Sequence, residues 1–420
     1  MAVPKIAIYA RWADFPFGAA YSSRIRLMAR GLVEAGAEVI VLISAPRTKG
    51  RNRFVSSGVY SGFRYQYLSS APLLSHGDRS KAMSFLTRFD PRQALKLLTA
   101  LWRLKREGKL ETLIICSEDV GIAWIAGLIC RWLGVCSILD STEWPIFYPK
   151  GNWIAQARYR LFCNHGFRFI DAVLPISNYL AEKVADYNRR TGRRIPHLLV
   201  PILTDVEDAD VAKGEPGNYV LFCSGPGYLN LMLMVLRSYH IVKQVGHQCD
   251  LVFVGLDQHR NEVKILLAEA KRLGCAEGIR FPGYVKWDEL KRLYSEAAAL
   301  LIPLPDDGRS RSRFPWKIGD YLSSARPVIT TEVGDIGCYL QDGHNAFVAK
   351  PGDMRAFADK IQFVLENAEI ATKVGQRGRE TARENFDFRG HGSRLLEFIQ
   401  HVDQRVRKEV RNQCSTPKQL

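Results

Sequence analysis

Several things are missing from this sequence of 420 residues. No two of its nine cysteines stand in C-x-x-C or another paired spacing, which excludes metal ribbons and disulfide frameworks. An odd number of scattered cysteines reads as reduced thiols, as expected of a cytosolic protein. The first residues, MAVPKIAIYARW, have no basic region followed by an apolar core and a small-residue cleavage site, so no secretory signal is expected. No apolar run reaches the roughly 20 residues that a spanning helix needs. The most apolar stretch, Val120 to Cys136, is interrupted by Arg131 and reads as a buried helix followed by a strand. No G-x-G-x-x-G follows the first strand, so a dinucleotide fingerprint is absent.

What is present is an ordinary globular mixture, 47% hydrophobic and 24% charged. That excludes collagen-like and disordered chains. At roughly 150 residues per domain, the length implies about two to three domains. The charge is uneven. The net +16 divides into +15 over residues 1–200 and +1 over residues 201–420. An excess confined to one half points to an anionic partner for that half.

Short apolar runs alternate with amphipathic ones. Strands are expected at Lys5–Ala10, Glu38–Ile43, Thr112–Cys116, Ser137–Asp140, Asp171–Pro175 and His197–Pro201, with helices between, including Tyr21–Ala35 and one from Asn178. The series restarts with strands at Tyr219–Cys223, Leu251–Val254, Gly278–Phe281, Ala299–Pro303 and Pro327–Thr330. Helices Leu231–Val245 and Glu262–Leu273 intervene. This alternation predicts an α/β chain of two doubly wound, Rossmann-like domains with parallel sheets covered on both faces. The expected boundaries are 1–205 for the first domain, 206–217 for an acidic linker and 218–385 for the second domain. A C-terminal helix follows over 386–411, then a tail over 412–420. Ligands of such sheets sit beyond the carboxyl ends of the strands, so a cleft between two facing domains is expected, lined by the residues just after strands.

Two glycine-bearing loops follow first strands. One carries Gly18, the other Gly225 and Gly227. Small residues before a helix let backbone N–H groups approach an anion; each loop is also compatible with a plain turn. The most specific segment runs from Arg311 to Gly337. Arg311, Arg313 and Lys317 precede the carboxylate of Asp320 on a short helix, and Lys317 and Asp320 share a face. A buried strand and a loop with Gly334, Ile336 and Gly337 follow. Such a carboxylate can accept both ribose hydroxyls of a nucleotide, and such cations can neutralise a diphosphate. An exposed helical ion pair is the plainer reading of Lys317 and Asp320.

The chain resembles the retaining glycosyltransferases of GT-B architecture, most of all glycosyltransferase family 4. Phe314–Gly337 resembles the family segment in which two glutamates precede a-x-G-x-P-V. Pro175–Ser177, Pro201–Asp205, Leu300–Pro303 and the turn Asp342-Gly-His-Asn-Ala346 add to the likeness. The resemblance implies an N-terminal acceptor domain, a C-terminal nucleotide-sugar domain and a final helix crossing back. It places Asp320 on the ribose, in the position of the second glutamate. Ser312 stands where the first belongs, and the usual Arg and Lys after the Cys223 strand are absent. Lys317, with Arg311 or Arg313, is expected to supply that charge. Asp140-Ser-Thr-Glu143 resembles a D-x-H-E segment without its histidine. Glu118 and Glu143, both after strands, are candidates to orient the acceptor hydroxyl. The family needs no metal, and no cofactor is expected beyond the nucleotide diphosphate sugar donor. The one D-x-D string, Asp208-Ala-Asp210, falls in the acidic linker.

Two basic stretches stand out in the first half. Residues 151–169 interleave Trp153, Tyr159, Phe162 and Phe167 with Arg158, Arg160 and Arg168. Arg92–Lys109 carries Trp102 with Arg103, Lys105, Arg106 and Lys109. Basic amphipathic helices can lie on anionic membranes. The expected partners are therefore a nucleotide sugar, a glycan or lipid-linked acceptor and an anionic membrane surface. The expected location is cytoplasmic, with peripheral docking at the inner face of the membrane. Helices covering the first sheet with merely wet basic faces fit equally. No nucleic-acid motif accompanies the charge. An epimerase on the same architecture and a non-catalytic binding protein stay open as alternatives.

Overall fold

The computed structural model describes residues 3–15, 20–45, 55–70, 91–117, 119–144, 153–212 and 215–415. The chain forms two compact units. One comprises Met1–Leu203 with Phe388–Leu420, the other Thr204–Asp387.

The first unit is a seven-stranded sheet. Its strands are β1 (Lys5–Trp12), β2 (Glu38–Ala45), β3 (Ser57–Tyr60), β4 (Phe63–Tyr67), β5 (Thr112–Cys116), β6 (Cys136–Ser141) and β7 (Ala172–Pro175). Their order is β3-β4-β2-β1-β5-β6-β7, parallel except for β3 against β4. Ile8 of β1 sits beside Val41 on one neighbour and Ile114 on the other. β5 and β6 are buried throughout, as strands covered on both faces must be. The helices are α1 (Ala20–Glu34), α2 (Pro91–Arg106), α3 (Val120–Leu133), α4 (Trp153–His165) and α5 (Asn178–Thr191). The final helix, Phe388–Ser415, packs on α1. They cross where glycine permits it: a Cβ on Gly31 would stand 2.7 Å from the Phe388 carbonyl oxygen.

The expected strand at His197–Pro201 is not one. The segment runs beside β7 with one bridge, Val173 to His197, and a further hydrogen bond from the Val200 N–H to the Pro175 carbonyl; Pro175 of β7 has no N–H with which to extend the ladder. Strands β3 and β4 were not anticipated, although β4 alternates buried Phe63, Tyr65 and Tyr67 with exposed Arg64 and Gln66. Val120–Leu133 was expected to be buried. It is a helix, but Leu128 and Trp132 on it face solvent. Phe162 and Phe167, read as surface aromatics of a basic stretch, are core residues. Phe162 packs edge-on against Trp144 and Phe167 against Tyr187.

The second unit is a parallel six-stranded sheet. Its strands are β8 (Tyr219–Cys223), β9 (Asp250–Val254), β10 (Ile279–Gly283), β11 (Ala299–Ile302), β12 (Val328–Thr331) and β13 (Phe347–Ala349). Their order is β10-β9-β8-β11-β12-β13. Its helices are α6 (Leu229–Gln244), α7 (Asn261–Leu273), α8 (Trp287–Glu296), α9 (Gly308–Ser312), α10 (Lys317–Ser323), α11 (Ile336–Tyr339), α12 (Met354–Glu366) and α13 (Ala368–Asn385). One core joins Phe222, Phe253 and Leu301 of the sheet to Leu236, Tyr239 and Phe357 of the helices.

Where a linker was expected at 206–217, the described residues are fastened to this unit. Val206 is fully buried. Glu207 pairs with Arg383, and the Ala212 N–H donates to the Ser324 carbonyl at 2.9 Å. Asp208 accepts from Trp287 Nε1 at 2.7 Å and Lys291 Nζ at 3.2 Å. That gives the acidic string a packing role that its composition did not suggest.

Candidate active site

In the unit Thr204–Asp387 the strand order reverses at β8. β9 and β10 extend the sheet to one side, and β11 to β13 extend it to the other. Loops leaving the carboxyl ends at such a reversal part to opposite faces and leave a crevice. The loop after β8 carries Ser224, Gly225 and Gly227. A Cβ on either glycine would meet no atom within 4 Å, so the backbone there can be closely approached. α6 then begins without a side-chain cap, which leaves N–H groups available to an anion.

The helix α10 is tied to this loop by Tyr321. Its buried hydroxyl accepts from the N–H of Cys223, the last residue of β8, at 2.9 Å. Its ring packs edge-on against Tyr294 at 4.9 Å. Burial foremost, then the neighbouring Cys223, holds the Tyr321 hydroxyl far above its ordinary pKa, so it stays neutral. The same helix carries Lys317 in its first turn and Asp320 one turn on, both half-buried. Asp320 Oδ1 accepts from Thr204 Oγ1 at 3.2 Å. The Lys317 ammonium has no hydrogen bond or ion pair among the described residues. Pro303–Ser312 follows β11, and Glu332–Gly337 follows β12. Thr331 Oγ1 fastens the two strand ends by accepting from the Leu304 N–H and donating to its carbonyl, both at 2.8 Å.

The remaining candidates of this unit are placed as follows. Arg311 is exposed and forked onto Asp306 at 2.6 and 2.8 Å, and that pairing pulls the Asp306 carboxyl below its ordinary pKa. Arg313 follows α9 and is half-buried. Gly334 has φ +58°, and a Cβ on it would lie 3.1 Å from Arg311 Cα; the loop after β12 thus lies against α9. Ile336 is fully buried, so only its backbone can meet a ligand. Gly337 is exposed.

In the first unit the order reverses at β1, and there the charged side chains Arg11, Arg24, Asp119 and Asp140 pair with one another. Arg11 pairs with Asp119 at 3.3 Å, both largely shielded, while Asp119 also caps α3 through the N–H groups of Gly121 and Ile122. Asp140 is not available to a ligand. It is 2% exposed, and Arg24 grips it through Nε at 2.9 Å and Nη2 at 2.7 Å. The same guanidinium donates to the carbonyls of Val200 and Pro201. Tyr67 pins the loop after β1: its hydroxyl accepts from the Phe15 N–H at 2.7 Å and donates to the Ala13 carbonyl at 2.9 Å. Burial pushes the Tyr67 hydroxyl up to about 12. Glu143 is half-buried, just past β6. Gly18 and Glu118 lie outside the described residues.

Residues 218–367, from the residue before β8 through α12, match the family model described as Glycosyl transferases group 1. EpsD of Bacillus subtilis (strain 168), named only provisionally as a glycosyltransferase, is 27% identical over 161 residues, 37% of this chain and 39% of its own. The match thus spans well under half of that relative. The sulfoquinovosyl transferase SQD2 of Arabidopsis thaliana is 20% identical over 414 residues, 93% of this chain and 72% of its own. Among solved structures, sucrose-phosphate synthase of Thermosynechococcus elongatus superposes with a TM-score of 0.68 at 15% identity, covering 96% of this chain and 99% of that one. HepE of Anabaena, in complex with UDP and glucose, superposes with a TM-score of 0.67 at 13% identity, covering 94% and 100%. The fold is that of the GT-B glycosyltransferases, as the sequence resemblance implied.

The matched stretch departs from the family 4 resemblance at Ser312. That side chain is 1% exposed and donates to the Arg309 carbonyl at 3.0 Å, so it closes α9 rather than facing a ligand. Two residues that shape these surroundings, Arg24 and Tyr321, escaped the sequence reading. Arg24 lies on the apolar stripe of α1 with Ile25, Met28 and Leu32, and a cation on such a stripe calls for a buried acid. Asp140 near the end of an apolar strand is that acid. Tyr321, between the buried Ile318 and Leu322, gave no comparable signal.

Proposed function

We propose that this chain is a nucleotide-sugar-dependent glycosyltransferase of the family 4 type, metal-independent and retaining. The second unit takes the donor and the first unit takes a glycan or lipid-linked acceptor. The observation that carries this reading is α10. A carboxylate and an ammonium without a partner among the described residues, one turn apart, are fastened by Tyr321 to the open glycine loop at the switch point of the stretch that matches the group 1 model. Asp320 accepts the ribose hydroxyls. The N–H groups around Gly225 and Gly227, the backbone of Gly334–Gly337, Lys317 and Arg313 receive the diphosphate. Arg311 already has Asp306, so Lys317 carries most of the neutralisation.

The reaction transfers a glycosyl group. The bond from the anomeric carbon to the diphosphate oxygen breaks with its electron pair going to phosphate. The acceptor oxygen bonds to that carbon and gives up its proton to the departing diphosphate oxygen. Negative charge grows on the diphosphate as the sugar becomes cationic. A fixed ammonium and fixed amides therefore stabilise the transition state more than the ground state. Glu143 orients the acceptor hydroxyl in the first unit, which meets an anionic membrane from the cytoplasmic side.

The test is calorimetric titration with UDP, GDP, ADP and dTDP, with UDP first because HepE holds it. One nucleotide is expected to bind, and Asp320→Ala to weaken it by about ten- to a hundred-fold, the loss of hydrogen bonds to a charged group. A folded Asp320→Ala protein with wild-type affinity rejects the assignment. Product analysis with the matching nucleotide sugar, with and without acceptor, then separates transfer from epimerisation.

A further inference from the structure

The helices of the first unit divide into two layers of unlike chemistry. The crossover β1-α1-β2 runs one way along the sheet, while β5-α3-β6 and β6-α4-β7 run the other. Right-handed connections therefore put α1 on one face and α3 and α4 on the opposite face. α2 packs on α3, and the Trp124 indole N–H at the start of α3 reaches the His165 carbonyl that ends α4. Across α2, α3 and α4 there are eight Lys or Arg and no Asp or Glu. On the other face α1 and the C-terminal helix packed on it both contain carboxylates.

The acid-free layer also leaves large apolar side chains in solvent. Trp132 is 71% exposed, Leu95 61%, Leu128 46%, Trp102 43% and Leu161 42%. A tryptophan in a soluble protein is rarely so bare. The helices that carry the two tryptophans are adjacent. Lys105, in the last turn of α2 with Trp102, donates to the carbonyl of Gly134, two residues past Trp132. Arg106 lies over the Trp102 ring, 4.6 Å from its centroid. The nearest carboxylate along the chain, Glu107, is already paired with Lys109 at 2.8 Å.

We infer that the α2–α3–α4 face is a membrane-docking surface for anionic lipid, with Trp102 and Trp132 entering the interface. This rests on the proposal that the acceptor is met at a membrane, and it names the face. Indole rings settle at the headgroup level. Cations without competing carboxylates draw the layer to an anionic leaflet. The charge complementarity is specific to this unit, which carries 36 Lys or Arg against 17 Asp or Glu, whereas the other carries 23 against 26.

The experiment uses the full chain and vesicles of phosphatidylcholine, alone or equimolar with phosphatidylglycerol. Co-sedimentation and the shift of indole emission are the two readouts. Binding is expected to the anionic vesicles at low salt. Trp102→Ala with Trp132→Ala should lower the partition coefficient by about ten-fold or more, from lost interfacial burial. Arg103→Glu with Arg106→Glu should lower it comparably and remove its salt dependence. Wild-type binding by the folded tryptophan double variant overturns the inference, as does absence of binding to anionic vesicles. A wild-type dimer that the double variant turns into a monomer also overturns it, since the face would then join two copies. Nucleotide titration of the same variants is expected to be unchanged, so this face and the donor site can fail separately.

Discussion

Both units place a parallel sheet's reversal beside its first strand, and they treat that place differently. In the first unit the polar groups nearby are consumed internally. Arg11 holds Asp119, and Arg24 holds Asp140 together with two backbone carbonyls. In the second unit the glycine loop is open, and Lys317 has no partner among the described residues. The charges differ as well, +19 for the first unit and −3 for the second. One sheet plan can therefore spend its charged side chains on each other or leave one open to a ligand. What decides is whether the chain itself supplies the complement of each polar group after a strand. Both units do share one device: a buried tyrosine hydroxyl that receives a backbone N–H at or after the first strand, Tyr67 in one and Tyr321 in the other.

The contrast is broken or sharpened most strongly at Asp140. Asp140→Ala leaves the Arg24 guanidinium buried without its counter-charge, at a cost of about 3–5 kcal/mol. The thermal midpoint should fall steeply while nucleotide affinity stays. Asp320→Ala is the mirror case, losing affinity with little loss of stability. An Asp140→Ala protein with an unchanged midpoint would erase the distinction between charges spent on each other and charges left open.

The paired tyrosines come next. Tyr321→Phe strands the Cys223 N–H, and Tyr67→Phe strands that of Phe15, each costing about 1–3 kcal/mol. Only Tyr321→Phe is expected to weaken nucleotide binding as well, because only its strand end leads into the open loop. Denaturant unfolding and titration of both variants read the two effects apart.

The smallest effect is one of pH. The Tyr67 hydroxyl rises in the fold from its ordinary 10.0 to about 12 through burial. Its neutral form is therefore favoured by folding. That contribution is whole below pH 10 and is lost as pH climbs from there through about 12. Tyr67→Phe should flatten this part of the stability profile, which unfolding curves at successive alkaline pH values would show.

Much of the fold was readable because burial on both faces writes itself as apolar runs. β5 and β8 match their expected bounds to the residue, and Asn178–Thr191 begins where Ser177 caps it. β3 and β4 were passed over because a short edge hairpin rich in Tyr and Arg lacks that aliphatic run. Phe162 and Phe167 misled because aromatic and basic residues alternate identically on a wet face and on one packed against a core. Trp132 misled in the opposite sense: an apolar helix predicts burial, and only the packing of its neighbours shows which of its sides is left bare. At the candidate site, spacing singles out Lys317 and Asp320 on one helix face, but it does not show Asp306 as the partner of Arg311. That ion pair depends on how the turn at Asp307 folds.

Sequence alone determined the two-series α/β plan, the concentration of positive charge in one half and the cation–carboxylate segment before a strand. These are local or compositional properties, and periodicity and counting reach them. Tertiary structure decided which charged side chains are spent on each other and which stay available, and which indole rings meet water. Those outcomes turn on contacts between residues more than a hundred positions apart, such as Arg24 with Asp140, and no local pattern encodes such a distance.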